Sequence, residues 1–202
     1  MTKLEKSWKQ AWRNLGLQPR EGLLERLINA WSEPHRRYHT VQHLSECLAH
    51  FESVDSLAVN PGDVEFALWF HDAIYDLKAK DNELRSAEWA VDELTHAGAG
   101  SEQLRRVRGL IMVTCHTAIP TDPDQQLLVD IDLSILGAGP ARFVEYDAQI
   151  QAEYSWVPDL IYRAKRKEVL AGFLDRAVIY NTGHLRARLE RQARENLQAA
   201  IS

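Results

Sequence analysis

An adjacent histidine and aspartate, His71 and Asp72, stand inside an otherwise apolar run at residues 66–75. Burying an imidazole and an ionised carboxylate among such side chains is costly unless another group compensates for the lost hydration. A bound metal cation provides that compensation directly, because it is the largest local charge in such a site. The pair is therefore a candidate metal site.

Two further groups of the same chemical type flank this pair in the sequence. Upstream, His39 and His43 are four residues apart, which places them on one face if the segment is helical. Downstream, Asp130 and Asp132 interrupt another apolar run. Histidine, then His-Asp, then aspartate is an order that predicts a set of metal ligands.

The ligand types limit the choice of ion. Two imidazoles with two carboxylates suit Mn, Fe, Co, Ni or Zn, whereas Mg is less suited to the imidazoles. Cys47 and Cys115 lack the C-x-x-C spacing of structural zinc sites, so we interpret them as small core residues with no part in the site.

The elements that must position these residues are predicted to be helices. Apolar residues recur at intervals of three and four along the chain, and sustained alternation with period two is absent. Capping residues, prolines and glycines mark the boundaries, and they predict nine or ten helices in one all-α domain. The predicted helices cover about 4–15, 20–31, 82–96 and 185–200. Others begin near 40, at 61 (carrying His71 and Asp72 toward its end), at 101 (running toward His116), at 123 (bringing in Asp132 before Gly137), and at 140 and 158.

Composition excludes several classes of function. The 202 residues suffice for one domain, and the formal net charge of −5 argues against a protein that grips a nucleic-acid backbone. No apolar segment approaches the ~20 residues that cross a bilayer, so we expect no membrane partner. The first ten residues are polar and lack a secretory core, and the expected location is cytoplasmic.

Taken together, these motifs resemble the H…HD…D signature of the HD superfamily of metal-dependent phosphohydrolases. The resemblance covers residues 36–137, and residues 140–202 would form a helical extension within a single domain, 1–202. It implies an HD-type helical fold, a divalent metal ion, and hydrolysis of a phosphoester in a nucleotide or another small phosphorylated metabolite.

The resemblance also implies roles for single residues. The segment from Tyr38 to His43 is similar to the Y-H-N-x-x-H segment of cyclic-nucleotide phosphodiesterases, which would make His43 the ligand and His39 the general acid. The R-x-H-S pattern of simpler HD proteins would instead make His39 the ligand, and both alternatives stay open. Residues 131–134 resemble the A-D-L-S segment of the family, which favours Asp132 over Asp130 as the last ligand.

Other polar residues near the motifs could orient a ligand or contact substrate. The chain lacks the extra histidines of two-metal relatives, so we expect one ion, or two of which the second is weakly bound. Asp76 follows Asp72 by four residues and would share its helix face. Arg36 or Arg37 could donate hydrogen bonds to a phosphate oxygen. The remaining candidates are Asp130, Glu83 and His116. For each of these residues, an ordinary surface or capping role is the alternative.

Two other functions compete with hydrolysis. A non-catalytic helical module could bind a metal or nucleotide as a sensor, and it would show binding without turnover. A di-iron oxygenase is a third alternative, because some HD-type folds hold two irons, although further histidines at suitable spacing are lacking. The sequence leaves the substrate and the oligomeric state open, a homo-oligomer included.

Overall fold

The computed structural model describes residues 2–202 of the chain. Within them the chain is all helical, with ten α-helices, three short 3-10 helices and no strand, so the predicted fold class is confirmed. The α-helices are α1 (Lys3–Leu15), α2 (Leu23–Trp31), α3 (Val41–Glu52), α4 (Pro61–Phe70), α5 (Asn82–His96), α6 (Ser101–Met112), α7 (Pro123–Asp132), α8 (Pro140–Glu153), α9 (Asp159–Leu174) and α10 (Gly183–Ile201).

The helices begin and end where the sequence carries capping residues. Thr2 and Glu5 form a capping box at the start of α1, and Gly16 ends that helix with φ +70°. The side chain of Thr40 accepts the backbone N–H of Gln42 at the start of α3. Asp122 does the same for two backbone N–H groups in the first turn of α7.

The chain divides into two compact units, Met1–Val129 and Asp130–Ser202. In the first, α4 is the central helix, since α1, α3, α5 and α6 all contact it and every residue from Gly62 to Phe70 is buried. The approach of α1 is close: a Cβ on Gly62 would lie 2.9 Å from backbone atoms of Asn14 and Leu15. An apolar sequence without a polar face therefore forms the core helix, as its composition predicted.

The end of α4 differs from the prediction. The helix ends at Phe70, His71 is its C-cap residue, and the segment up to α5 is irregular. Asp72 and Asp76 therefore do not share a helix face, and that premise for placing Asp76 near the metal is wrong. A buried arginine explains the early end, because Arg36 donates to the backbone carbonyls of Asp72 and Ala73.

In the second unit, α10 packs on α9 and on the 3-10 helix Leu133–Gly137. The side-chain amide of Asn196 donates to the Leu136 and Ala138 carbonyls, each at 2.8 Å, which fixes α10 against this short helix. Among the described residues, no helix combines the length and the apolar character that a membrane crossing needs.

Candidate metal centre

Two buried histidines meet where α3 begins and α4 ends. His43 lies in the first turn of α3, and His71 is the C-cap residue of α4. Their side chains are 3% and 0% exposed, and their Nε2 atoms lie 3.2 Å apart. The contact between α3 and α4 thus brings together two motifs that are 28 residues apart in the sequence.

The hydrogen bonds of His71 fix its tautomer. Its Nδ1 lies 2.8 Å from the backbone carbonyl of Leu68, one turn earlier in α4. Because a carbonyl only accepts, Nδ1 carries the proton and the lone pair of the neutral ring is on Nε2. A lone pair at that position is what a metal ion requires from an imidazole.

The other nitrogen of His43 also has a polar partner, a hydroxyl that can donate or accept. Its Nδ1 lies 2.9 Å from the hydroxyl of Tyr38, a residue that is buried beside it. The ring of Trp31, which is fully buried, lies beside both imidazoles and walls the site on its apolar side. Tyr38 is not among the residues that the sequence predicts to be functional, although its hydroxyl contacts the His43 ring.

The carboxylate of Asp72 completes a convergence of polar atoms. Its Oδ2 lies 3.3 Å from Nε2 of His71, 3.9 Å from Nε2 of His43 and 4.0 Å from Nε2 of His39. Bonds of about 2.0–2.2 Å to one ion would place adjacent ligand atoms roughly 3.0–3.5 Å apart and opposite ones about 4.2 Å apart. The observed separations therefore suit a divalent ion.

His39 occupies the outer side of this group. It precedes the N-cap residue of α3, and its side chain is 19% exposed, against 3% for His43. Its ring stacks on Tyr75 with centroids 4.1 Å apart. His43 is the more enclosed of the two candidate ligands, and His39 is the one that a molecule from solvent reaches first.

Cys47 also lies in the group, whereas we interpreted it from the sequence as a core residue only. His43, Cys47 and His71 each offer a ligand atom, and these atoms lie within 4.8 Å of one another. The sulfur is 3.7 Å and 3.8 Å from the two nitrogens of the His43 ring. The available signal was the spacing, since residues four apart share a helix face.

The two downstream aspartates belong to the second unit. Asp132 is the last residue of α7 and is half-buried. Asp130 is fully buried, and its carboxylate accepts four hydrogen bonds from the backbone N–H groups and side chains of Asn181 and Thr182. Burial raises the pKa of Asp130 and these hydrogen bonds oppose that rise. Asp130 therefore anchors the loop before α10.

The other candidate residues are spread over the first unit. Asp76 is exposed, and its carboxylate accepts the backbone N–H of Lys78. Arg37 is exposed and donates a hydrogen bond to the Pro34 carbonyl, within the loop between α2 and α3.

Glu83 lies in the first turn of α5, where its carboxylate is near enough to the Cys115 thiol to influence it. Burial, and then the negative charge of Glu83, raises the pKa of that thiol. His116 follows directly and is the one non-glycine residue with positive φ, 52°, among those described. Glu83 thus lies near the segment that carries His116.

The donors of the first unit have the chemistry of a transition-ion site. They comprise imidazole nitrogens with assigned hydrogen-bond partners, a carboxylate and a thiol, which soft or borderline divalent ions prefer. An all-helical chain with such a group is compatible with an HD-type fold. In comparisons with known proteins, no family model, no curated protein and no solved structure matches this chain.

Proposed function

We propose that the chain is a metal-dependent phosphohydrolase that cleaves a phosphoester in a nucleotide or another small phosphorylated metabolite. The supporting observation is the convergence of three imidazole Nε2 atoms within 4.0 Å of one carboxylate oxygen of Asp72. The same residues carry the resemblance to the HD phosphohydrolases, in which such a set is catalytic.

His43, His71 and Asp72 are the proposed ligands from the first unit. A divalent ion held there would supply Lewis-acid polarisation of the phosphoryl oxygen and a water of lowered pKa. The partners of Nδ1 in the two rings, the Tyr38 hydroxyl and the Leu68 carbonyl, hold the rings in place, and such partners commonly change metal affinity by about 10- to 100-fold.

Asp132 is the proposed fourth ligand, on the basis of the resemblance. It ends α7, whose start is anchored within the first unit. There the carboxylate of Asp124 accepts the backbone N–H groups of Val59 and Asn60 at 2.7 Å and 2.9 Å.

His39 is the proposed proton donor. As the oxygen of water bonds to phosphorus, the ester P–O bond breaks and the departing oxygen takes a proton from Nε2 of His39. Nε2 of His39 lies 4.0 Å from the Asp72 carboxylate, at the edge of the candidate metal centre. The partial exposure of His39 leaves it accessible to substrate.

A screen of phosphate release tests the activity. The purified chain would be incubated with nucleotides and phosphorylated metabolites in the presence of Mn, Co, Ni, Zn or Mg, with its metal content measured in parallel. We expect turnover with at least one ion, and Asp72→Ala should remove bound metal and turnover together. Asp81→Ala, which removes an exposed carboxylate at the start of α5, is the matched control.

Other outcomes would identify the alternatives. Stoichiometric metal in a chain that turns over none of the substrates favours the sensor, and two irons per chain favour the oxygenase. His39→Ala tests whether His39 is the proton donor or a metal ligand. If His39 is the proton donor, kcat falls and the metal content stays, whereas loss of the metal would make His39 a ligand.

A further inference from the structure

A buried arginine lies between the two motifs that form the candidate metal centre. Arg36 is in the loop between α2 and α3, and its side chain is 0% exposed. Its guanidinium lies against the rings of Trp31 and Tyr75, with its central carbon 5.5 Å and 5.4 Å from the two ring centroids. Both rings also contact histidines of the site.

Every N–H of this guanidinium has an acceptor. Nη1 donates to the backbone carbonyls of His39 and Asp72, at 3.1 Å and 2.7 Å. Nη2 donates to the Ala73 carbonyl at 3.0 Å and pairs with Glu33 at 3.1 Å, and Nε donates to Glu33 at 3.2 Å. Five N–H groups thus meet four acceptor oxygens, of which Glu33 Oε2 is shared by Nε and Nη2, and none remains for a phosphate oxygen.

We infer that Arg36 is a positioning residue, which holds the backbone of His39 and that of Asp72 in one geometry, and that it makes no contact with substrate. The inference rests on the proposed function for the reaction that this geometry serves. Two of the carbonyls that it binds belong to residues whose side chains converge in the site, although they lie 33 positions apart in the sequence.

The chemistry of arginine is specific to this task. The carbonyls come from two separate segments, and the planar guanidinium presents donors in fixed directions toward both. A lysine ammonium has three N–H groups around one atom, so it cannot reach the same carbonyls and Glu33 together. The nearby Asp72 and Glu33 carboxylates also keep the cation charged, against burial, which lowers the pKa of Arg36.

Arg36→Lys tests the inference, with Arg106→Lys as the matched control. Arg106 pairs with the buried Asp63 at 2.6 Å, in the first turn of α4. Eight residues of helix, or about 12 Å at 1.5 Å per residue, separate Asp63 from His71. Each variant removes one guanidinium that binds a buried group, but only Arg36→Lys should disturb the candidate metal centre.

Three readouts separate positioning from a general loss of structure. In the metal-free chain, the proton resonances of the His39 ring report its stacking on Tyr75, and we expect Arg36→Lys alone to move them. Cobalt titration followed by d–d absorption should show an affinity lower by about 10-fold or more. In turnover, kcat should fall while KM stays near that of the unmodified chain.

The outcomes remain distinct from those of the proposed function. If the unmodified chain turns over no substrate, the proposed function fails, while the resonance and cobalt readouts still test Arg36. Unmoved His39 resonances and unchanged cobalt affinity would overturn the inference, as would a rise in KM alone, which indicates contact with substrate. If Arg36→Lys does not fold, Glu33→Gln weakens the same network from its half-exposed side and should shift the same readouts less.

Discussion

At the scale of the residue, hydrogen bonds to the outer ring nitrogens determine what the inner ones can do. The Leu68 carbonyl fixes the proton of His71 on Nδ1, and the Tyr38 hydroxyl occupies the same position on His43. The two Nε2 atoms lie 3.2 Å apart, and the ring of Trp31 packs beside them. Two imidazoles in this arrangement could hold one metal ion between them.

Replacing Cys47 tests whether the thiol joins these ligands. If its sulfur binds the ion, Cys47→Ser should weaken zinc and cobalt binding by about 10-fold, because thiolate prefers softer ions, and change manganese and magnesium binding little. The cobalt complex should lose its sulfur-to-metal charge-transfer absorption in the near ultraviolet. Cys115→Ser, which removes the half-buried thiol beside Glu83, serves as control. An unchanged spectrum in Cys47→Ser would return this residue to a core role.

At the scale of the element, α4 carries both the core of the first unit and one edge of the site. Its contact with α1 includes buried polar side chains. Glu65, one turn before Trp69, accepts a hydrogen bond of 2.7 Å from the Ser7 hydroxyl of α1. The same hydroxyl accepts from the indole of Trp69. The contact of α1 with α4 therefore includes a buried carboxyl group.

The ionisation of Glu65 should make stability depend on pH. Burial raises its pKa from 4.5 to about 7, and the carboxylates of Asp55 and Glu52 add to that rise. The folded chain thus keeps a proton that the unfolded chain has lost, so the free energy of unfolding should fall as pH rises from about 4.5 to 7. At about 1.4 kcal/mol per pKa unit, the change is up to about 3 kcal/mol.

Urea unfolding of the metal-free chain at several pH values measures this effect. Glu65→Gln should flatten the profile in that window and be the more stable chain at pH 8, because it is neutral at every pH. A Glu65→Gln profile with the same slope as the unmodified chain would assign the dependence to other groups.

In the second unit, Asp130 anchors the loop that leads into α10. Asp130→Asn should lower the free energy of unfolding by about 2–3 kcal/mol, because an amide nitrogen would face N–H and O–H donors that now bind a charged acceptor. Metal affinity should stay unchanged. The paired variant Asp132→Asn should show the reverse, with weaker metal binding and little loss of stability. Equal loss of metal in both would place Asp130 among the ligands.

At the scale of the whole molecule, ligand binding and folding are linked. The chain carries a formal net charge of −5, which disfavours binding to nucleic-acid backbones, and the cluster of buried donors in the first unit gives a cation a specific place to bind. An ion that binds only the folded chain raises its stability in proportion to the logarithm of its concentration.

Calorimetry should show this linkage. Zinc or cobalt at 100 times its dissociation constant should add about 2.7 kcal/mol, which corresponds to a rise in Tm of roughly 5–10 °C for a chain of this size. A chelator should reverse the rise, and His43→Gln should abolish it. A metal-induced rise of the same size in His43→Gln would show that the ion binds elsewhere.

The sequence by itself determined that the chain is helical and where several of its helices begin and end. Periodicity and capping residues act over a few positions, so the bounds of α5 and the start of α4 follow from local chemistry alone. His71 and Asp72 were likewise identifiable, because polar residues in an apolar run are unusual wherever the chain places them.

Only the tertiary structure decided which partners these residues meet. Arg36 binds a carbonyl 36 residues away, and Asp130 binds Thr182, 52 residues away. From the sequence, Arg36 was a candidate for binding a phosphate oxygen and Asp130 a candidate metal ligand. The physical reason is that helical periodicity fixes the face on which a side chain lies, whereas packing between distant segments fixes what it touches.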